Sequence, residues 1–533
     1  MIRSTLSWHL VRYASIATCI VLVNVPLHGQ TFQIVNMVPL YRSTEFNQNS
    51  EPFIAVHPTA SGVLVATSTK GPQPYCSSTR RSAVYVSVDD GDSWDLACIV
   101  PKFPDAYPMD PTVQFSADGN VLYIGALQLI VSAGTATGYV YAYQRPAGTS
   151  TVDWIASMTS ATSGPSAVAR FLDTDQPHLR AMTAAGSRGI VVGSSVFSMY
   201  KPIADLTHPC DQSTGVVSFS ADPIATPWST TSANDLCIAF RPSVGDPPST
   251  PAVRSAVHSN GTIYALFYRP VVEGEKVDVV VVRNDGGDKN RATAFQYLKD
   301  LPVDPPGTPG PLDTSEESCA KRDGFPGYRV KRCVEYPWGL DADDFGQQRR
   351  FWTELSIAVD PSNSQIVVIC WAESDGTSEL SLHFARSTDG GVTWKDVPAP
   401  IANATNPALA IASDGAIGLL YQRLKGKKKK ARWQTFFAFL DPAAGPTGTR
   451  KLADVRAWSP PLVQPPYLGD YIQLHARGKN FYGVFSASND LKTSSFDPSL
   501  VVQRAYLGGR PIDPATGHKV PVSIDPYFVR VIR

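Results

Sequence analysis

The sequence is poor in charge and has no net charge to direct it to an oppositely charged partner. Charged residues make up 18% of the 533 residues, and 47 Lys and Arg balance 47 Asp and Glu. Because a balanced chain has no overall field that attracts nucleic acid, we expect no nucleic-acid partner. The chain also lacks any Cys-x-x-Cys pair or cluster of Cys and His with zinc-site spacing, which argues against the common structural zinc modules.

Long apolar runs are also missing, apart from one near the N-terminus. Residues 13–27 (YASIATCIVLVNVPL) carry no charge and follow two arginines, but they fall short of the roughly 18 apolar residues of a membrane span. This pattern predicts a signal peptide over residues 1–30, with an uncleaved anchor as the alternative. A lipoprotein is less consistent, because Cys19 lies inside the apolar core. We therefore expect a secreted or periplasmic protein without a transmembrane segment after signal removal.

Seven cysteines follow the predicted signal, and six of them form neighbouring pairs. Spacings of 14 to 27 residues suggest local disulfides in an oxidising compartment, although sequence alone does not fix the connectivity. The pairs are Cys76–Cys98, Cys210–Cys237 and Cys319–Cys333. Cys370 lies in the apolar run IVVICWAES, and we interpret it as a small buried hydrophobic residue.

Helical periodicity is absent, whereas a β-type unit recurs along the chain. Each unit has a polar residue, a short apolar strand, a turn and a second, stronger apolar strand, which together predict a hairpin. Seven copies begin at Glu51, Asp110, Asp175, Thr250, Glu354, Asn406 and Gly469. Most copies are followed by a third β-prone run, among them AVYVSVDD, VDVVVVRN and, in the last copy, SLVVQRAY.

Such a unit cannot cover both of its faces alone, whereas radial stacking covers them and leaves few exposed edges. The sequence therefore predicts an all-β fold, a β-propeller of seven four-stranded blades, with six blades as the alternative. We expect one propeller domain over residues 31–533, with a Pro-rich insertion at about 302–350. That insertion would be either a lid over the central tunnel or a decoration that shields blade edges.

Two segments of the repeat fit the pattern S-x-D-x-G-x-[S/T]-W, which predicts a turn between the third and fourth strands of a blade. In this turn the Asp side chain accepts backbone N–H groups, Gly adopts a positive φ and Trp packs into the blade. The residues concerned are Asp89, Gly91, Trp94, Asp389, Gly391 and Trp394. Arg283-Asn-Asp285-Gly-Gly287 is a degenerate third copy.

With these motifs, the sequence resembles the BNR/Asp-box proteins of the sialidase-like superfamily over nearly the whole mature chain. The resemblance implies that Asp89 and Asp389 are structural and lie on the face away from an active site. Two features depart from the family. Seven repeats exceed the six blades of sialidases, and Tyr41-Arg42-Ser43-Thr44 matches only the first half of the family's Phe/Tyr-Arg-Ile-Pro motif.

The first residues of the first strands are expected to ring the mouth of the central tunnel. A ring of carboxylates can hold a cation such as calcium, bind sugar hydroxyls or support acid–base chemistry. The alternative is that each residue only caps backbone N–H groups. The predicted binding residues are Glu51, Asp110, Asp175, Glu354 and Asp470, together with Asn406. Calcium is a candidate cofactor, and no other is indicated.

A sialidase-like reaction would need arginines for a substrate carboxylate, an acid and a tyrosine nucleophile. Among the carboxylates, Asp110, Asp175 and Glu354 are catalytic candidates. The other catalytic candidates are Arg254, Arg350 and Arg423, with Tyr471 or Tyr467 as the tyrosine. The alternative is that these arginines are paired surface residues and that the tyrosines serve packing.

Two function classes therefore remain open. The first is a binding module whose top face recognises a carbohydrate or an extracellular protein partner. The second is an exo-acting, sialidase-like glycoside hydrolase. The basic run Lys425–Lys430 is expected on the same face, either to contact an anionic polysaccharide or as a solvated hairpin tip.

Overall fold

The structure is a computed structural model. It describes residues 29–69, 80–101, 106–130, 135–160, 165–172, 174–182, 188–196, 213–229, 235–240, 252–272, 276–285, 295, 298, 327–335, 354–374, 380–461 and 466–533. Side chains within a few of these strands are not described.

Seven sheets follow one another along the chain, and one strand that belongs to the seventh sheet comes before all the others in sequence. This strand is β1 (Thr31–Asn36). The strands of the first blade are β2 (Ser50–Val56), β3 (Leu64–Thr69), β4 (Arg80–Ser87) and β5 (Asp95–Pro101), and those of the second are β6 (Ala106–Phe115), β7 (Val121–Ile130), β8 (Thr135–Gln144) and β9 (Ser166–Leu172). The third blade has β10 (Thr174–Met182), β11 (Gly189–Val196), β12 (Ser213–Ser220) and, after the two-residue β13 (Trp228–Ser229) that pairs with β9 of the second blade, β14 (Asp235–Phe240).

The other blades repeat this order. The fourth blade has β15 (Arg254–Val257), β16 (Ile263–Val272), β17 (Lys276–Asn284) and β18 (Tyr328–Glu335), the fifth has β19 (Leu355–Asp360), β20 (Asn363–Ser374), β21 (Leu380–Ser387) and β22 (Lys395–Ala402), and the sixth has β23 (Ala404–Ile411), β24 (Ile417–Lys425), β25 (Arg432–Asp441) and β26 (Gly445–Arg456). The last strands in the chain are β27 (Gln473–Arg477), β28 (Asn480–Ser488), β29 (Ser495–Phe496), β30 (Leu500–Val502), β31 (Tyr506–Leu507), β32 (Arg510–Pro511) and β33 (Ile524–Ile532). Of these, β27, β28, β30 and β33 belong to the seventh blade, β29 pairs with β26 of the sixth, and β31 and β32 form a separate two-stranded sheet. The helical segments described are α1 (Thr151–Ser157) and the 3-10 turns Leu40–Arg42, Met158–Ser160 and Lys428–Lys430.

The seven sheets form a closed ring around their first strands. Each first strand (β2, β6, β10, β15, β19, β23 and β27) contacts the first strands of both neighbouring blades, including β27 with β2. The protein is therefore a seven-bladed β-propeller, as the repeats predict. Blades two, six and seven each carry a short fifth strand (β13, β29 and β30). We call the face at which each first strand begins the top face.

The seventh blade joins the two ends of the described chain. Its strand order is β27-β28-β33-β1, and β1 pairs with β33 along all six of its residues. The prediction that SLVVQRAY forms the third strand of this blade is wrong. Leu500–Val502 within it forms β30, which pairs with β1 at the outer edge, and Ile524–Ile532 takes the third position.

Blade surfaces are apolar on both sides because a neighbouring blade covers each of them. In β17 eight of the nine residues are buried, which explains why its sequence KVDVVVVRN reads as a continuous apolar run. The free thiol of Cys370 is buried in the same way, in agreement with its interpretation as a core residue. In each predicted disulfide at least one cysteine side chain lies outside the described part of the chain, so all three pairings remain predictions.

The two S-x-D-x-G-x-[S/T]-W segments form the turns that the sequence predicts. They connect β4 to β5 and β21 to β22, the third and fourth strands of their blades. Asp89 accepts the backbone N–H of Ser93 at 3.0 Å, and Asp389 accepts that of Thr393 at 2.9 Å. These hydrogen bonds lower the pKa of both carboxyls, against the opposing effect of burial. The side chain of Trp94 is buried, and its ring centroid lies 5.2 Å from that of Phe528 in the seventh blade.

Replacing Gly91 by Ala is expected to cost far more stability than the same change at Gly391. Both glycines have a positive φ, 88° and 91°, which costs an alanine roughly 1 kcal/mol. A methyl group at Gly91 would lie 2.1 Å from a ring carbon of Phe528, whereas at Gly391 the nearest atom, in Leu298, is 3.1 Å away. We expect a loss of about 3 kcal/mol for Gly91→Ala and about 1 kcal/mol for Gly391→Ala in urea unfolding. Equal losses would show that Phe528 does not confine this turn.

The predicted insertion at 302–350 contains a blade strand. Tyr328–Glu335 forms β18, the fourth strand of the fourth blade. The remainder of that segment lies outside the described residues, so its role as lid or decoration stays a prediction.

Candidate functional site

Polar residues at the beginnings of the first strands reach the propeller axis at the top face. Each is buried in spite of its polarity, with Asp110 the most exposed at 7%. The described members of this group, which we call the mouth residues, are Glu51, Asp110, Glu354, Asn406 and Asp470. Asp175 lies in β10 one residue before the position that matches Glu51, Asp110 and Asn406 in the bulge register, which is occupied by Gln176, and the side chain of Asp175 is not described.

A β-bulge at the start of the first strand recurs in four blades. At the start of β2, β6, β10 and β23 the pairing register advances by three residues along the first strand but by only two along the second strand of the blade. The first strand therefore contains one extra residue there. In three of these bulges the polar residue has a positive φ: 54° at Glu51, 46° at Asp110 and 50° at Asn406. Such a conformation costs a non-glycine residue on the order of 1–3 kcal/mol and is concentrated at functional sites. Bulges of this kind reorient side chains.

Hydrogen bonds connect the mouth residues of the first, sixth and seventh blades. The hydroxyl of Tyr467 donates to the Glu51 carboxylate, which also accepts the backbone N–H of Asp470 at 3.3 Å. The side-chain amide of Asn406 donates to Gln422 at 3.0 Å and to the Gly469 carbonyl at 3.1 Å. Glu51 therefore caps a backbone N–H group, which was the alternative to a binding role. It also accepts a hydrogen bond from a phenol.

Arg254 and Tyr471 lie among the mouth residues. The guanidinium carbon of Arg254 is 5.5 Å from the centroid of the Tyr471 ring. Burial lowers the pKa of Arg254, and nearby acidic groups oppose this effect; these groups are Tyr471, Asp470, Glu354 and Asp110. Burial raises the pKa of Tyr471 well above its usual value, with further contributions from carboxylates, so its phenol is neutral at physiological pH. Its hydroxyl is buried and has no hydrogen-bond partner among the described residues.

A small cavity continues from this group along the axis. Its lining includes Arg254, Tyr471, Arg180, His178 and Thr112. The space that a water-sized sphere can occupy is about 20 Å³, enough for one or two such particles and too small for a sugar ring. Burial lowers the pKa of His178 far below its usual value, and both arginines act in the same direction, so this imidazole is neutral at pH 7.

The arginine triad that the resemblance suggests is not brought together among the described residues. Arg254 lies at the axis, whereas Arg423, on β24, does not line the cavity. Arg350 lies outside the described residues. The sequence interpretation missed Arg180, which lines the cavity from β10 and lies 5.7 Å from the centroid of the Phe53 ring.

The remaining predictions for this face have mixed outcomes. Lys425 and Lys427–Lys430 are exposed in the connection from β24 to β25, as expected of a solvated hairpin tip. Within the described ranges, no three acidic, histidine or cysteine side chains are arranged to hold a metal ion. Calcium binding therefore stays a prediction.

No helix in the described part of the chain is long and apolar enough to cross a membrane.

Comparisons with known proteins give no family for this chain. No protein-family model and no curated protein matches it, so the sialidase-like resemblance is not confirmed. A similar solved structure is an α-L-arabinofuranosidase from Fusarium graminearum with an iminosugar inhibitor (10% identity, 95% of this chain and 98% of that chain covered, TM-score 0.42). A protein of unknown function from Dyadobacter fermentans is also similar (13% identity, 95% and 100% covered, TM-score 0.39).

A third similar structure is an ulvan lyase of a polysaccharide lyase family (10% identity, 83% of this chain and 92% of that chain covered, TM-score 0.43). At these identities and TM-scores the similarities carry no argument about substrate or activity. The blade number rests on the strands of the protein itself.

Proposed function

We propose that the protein is an exported carbohydrate-binding module whose site is the group of mouth residues at the top of the propeller axis. The observation that carries this proposal is the convergence of Arg254 and Tyr471 with carboxylates from four blades. A concave position with a few convergent polar groups and perturbed pKa values is the usual setting of a ligand site.

The chemistry of these groups fits a saccharide better than a flat apolar partner. Carboxylates accept hydrogen bonds from sugar hydroxyls, while Arg254, which has several N–H groups, donates to sugar oxygens. The strained backbone at Glu51, Asp110 and Asn406 supports a functional origin of the arrangement. Because the cavity is too small for a sugar ring, the saccharide lies above it.

A second candidate, an exo-acting glycoside hydrolase, is favoured by one contact. The Tyr467 hydroxyl donates to Glu51, and a carboxylate next to a phenol can act as the base that activates a tyrosine nucleophile. Burial and nearby carboxylates hold the pKa of both Tyr467 and Tyr471 well above its usual value. Tyr467 is nevertheless the better candidate, because its hydroxyl has a carboxylate as hydrogen-bond acceptor, whereas the Tyr471 hydroxyl has no partner among the described residues. Hydrolysis would therefore depend on the Tyr467–Glu51 pair.

The test compares binding and turnover in one preparation of the mature protein. A panel of polysaccharides is screened for binding, and aryl glycosides, sialosides included, are screened for hydrolysis, both with and without calcium. The matched variants are Asp110→Asn and Asp441→Asn. An asparagine tolerates the positive φ at Asp110, because Asn406 adopts it at the equivalent place in the sixth blade, and Asp441 is an exposed residue at the end of β25.

We expect at least one polysaccharide to bind, and Asp110→Asn to weaken this binding roughly 10-fold or more through loss of a charged acceptor. Asp441→Asn should bind as the unmodified protein does. No binding to any glycan, or equal binding by both variants, would contradict the proposal. Turnover of an aryl glycoside that Glu51→Gln and Tyr467→Phe both abolish would favour the hydrolase instead.

A further inference from the structure

Arg180 lacks an acidic partner among the described residues. Its hydrogen bonds go to neutral groups: it donates to the Leu179 carbonyl at 3.0 Å. With the Gln473 amide turned so that its oxygen faces the guanidinium, that oxygen accepts from both terminal nitrogens, at 2.9 and 2.6 Å. Burial, followed by the repulsion of Arg254, lowers the pKa of Arg180 to about 9, so the guanidinium is still charged at pH 7.

The imidazoles beside Arg180 are both neutral, so neither of them is a counter-charge for its guanidinium. His178 is neutral, and its Nδ1 accepts the backbone N–H of Ser255 at 3.3 Å, which assigns the proton to Nε2. Burial lowers the pKa of His475 to about 3, with Arg180 acting in the same direction, so it is neutral as well. Arg180 as a residue is partly exposed, but its guanidinium is buried enough to lower its pKa, and a buried charge without a counter-charge is unfavourable.

The groups that face the cavity are rich in hydrogen-bond donors. Two guanidiniums line it, Arg180 and Arg254. Tyr471 and Thr112 also line it, and the hydroxyls of both are buried without a hydrogen-bond partner among the described residues. The side chain of Tyr471 is 93% buried, as its exposed fraction is 7%. Converging donors around a space of about 20 Å³ match a small anion rather than a cation or a sugar ring.

We propose that the central cavity is a binding site for one halide-sized monovalent anion, such as chloride, held between Arg180 and Arg254 and contacted by the hydroxyls of Tyr471 and Thr112. The anion supplies the counter-charge that Arg180 lacks among the described residues, and it connects the second, third, fourth and seventh blades at the axis. This site lies below the mouth residues, and it does not depend on the nature of any ligand bound there.

The first measurement uses bromide as the probe. Crystals of the full mature chain, grown without halide, are soaked in sodium bromide, and an anomalous map is calculated at the bromine edge. We expect one peak within hydrogen-bonding distance of Arg180 and Arg254. A map without a peak in the cavity would overturn the proposal, since the space would then hold water only.

The second measurement follows the melting temperature during a bromide titration at constant ionic strength. Sodium methanesulfonate, whose anion is too large for the cavity, replaces sodium bromide. A bound anion stabilises the folded state in proportion to the logarithm of its concentration, and we expect a rise in Tm of about 1–3 °C. Equal melting curves in the two salts would contradict the proposal.

Two variants connect this stabilisation to the cavity. Thr112→Val removes one donor with little change in shape, and we expect the half-maximal rise in Tm at a higher bromide concentration. Arg180→Met should abolish the rise in Tm. Arg423→Met, which removes a guanidinium that does not line the cavity, should respond as the unmodified protein does. If Arg180→Met does not fold, the bromide map and Thr112→Val still decide the question. An unchanged response in Thr112→Val and Arg180→Met would show that bromide acts elsewhere.

Discussion

Replacing Arg504 by Met is expected to lower the free energy of unfolding by about 3–5 kcal/mol. Arg504 and Asp525 form an ion pair with 0% exposure of both side chains and Nη1 distances of 2.8 and 2.9 Å to the two carboxylate oxygens. The Nη2 atom of Arg504 donates to the carbonyls of Ser43 and Glu45, at 2.8 and 2.6 Å. Removing the guanidinium leaves Asp525 as a buried, uncompensated charge, which accounts for the size of the loss.

The position of this pair explains why the effect should be global. Asp525 lies in β33, and Arg504 bonds the segment between β1 and β2, so the pair holds the ring closure of the seventh blade. The Asn36 side chain of β1 adds a hydrogen bond to Asp525 at 2.8 Å. We expect urea to unfold Arg504→Met at a lower midpoint, with fluorescence and circular dichroism changing together.

Two further variants separate the charge from the packing. Lys331→Met breaks the exposed pair with Asp396, whose side chains are 42% and 66% exposed, and should cost less than about 1 kcal/mol. The double variant Arg504→Met with Asp525→Leu should recover part of the loss, because no buried charge remains. An Arg504→Met protein as stable as Lys331→Met would show that ring closure does not depend on this pair.

The parts of the fold that could be predicted from sequence are those with local signals. Hairpins joined by short turns have both strands within about twenty residues, and seven copies give the blade number directly. The turns at Asp89 and Asp389 were predictable for the same reason, as every hydrogen bond of the Asp side chain is made within four residues.

Ring closure could not be predicted, because its partners are far apart in the chain. Asn36 and Asp525, for example, are separated by 489 positions, and TFQIVN carries no mark that would place it beside β33 rather than in a blade of its own. The apolar run SLVVQRAY was the better β-strand by composition. The third position of the seventh blade is nevertheless occupied by β33, which pairs with β28 along eight residues, and part of SLVVQRAY pairs with the outer edge of β1 instead.

The mouth residues were predictable as a set, while the residues deeper in the cavity were not. Glu51, Asp110 and Asn406 each precede a proline at the start of the repeated sequence unit, so the repeat itself points to them. Which side chains of β10 face the axis depends on the bulge between Asp175 and His178. A shift of one residue moves every later side chain to the other face, so Arg180 could not be assigned to the cavity from sequence.

The second large effect is expected at Arg254, which, of the two candidate arginines within the described residues, is the one that lines the axial cavity. A lysine retains the positive charge among the carboxylates but loses the planar fork that donates to two oxygens at once. We expect Arg254→Lys to weaken carbohydrate binding roughly 10- to 100-fold, corresponding to about 1.5–3 kcal/mol. Arg423→Lys is the matched control, since Arg423 belongs to the same set of sequence candidates but does not line the cavity.

The most direct test of a binding site at the propeller axis is therefore isothermal titration of the best polysaccharide ligand into the Arg254→Lys and Arg423→Lys proteins. Unchanged melting temperatures would first confirm that both variants are folded. The site described above predicts a large loss of affinity for Arg254→Lys and an affinity within about twofold of the unmodified protein for Arg423→Lys. Equal affinities in the two variants would place carbohydrate binding elsewhere on the propeller and contradict the assignment.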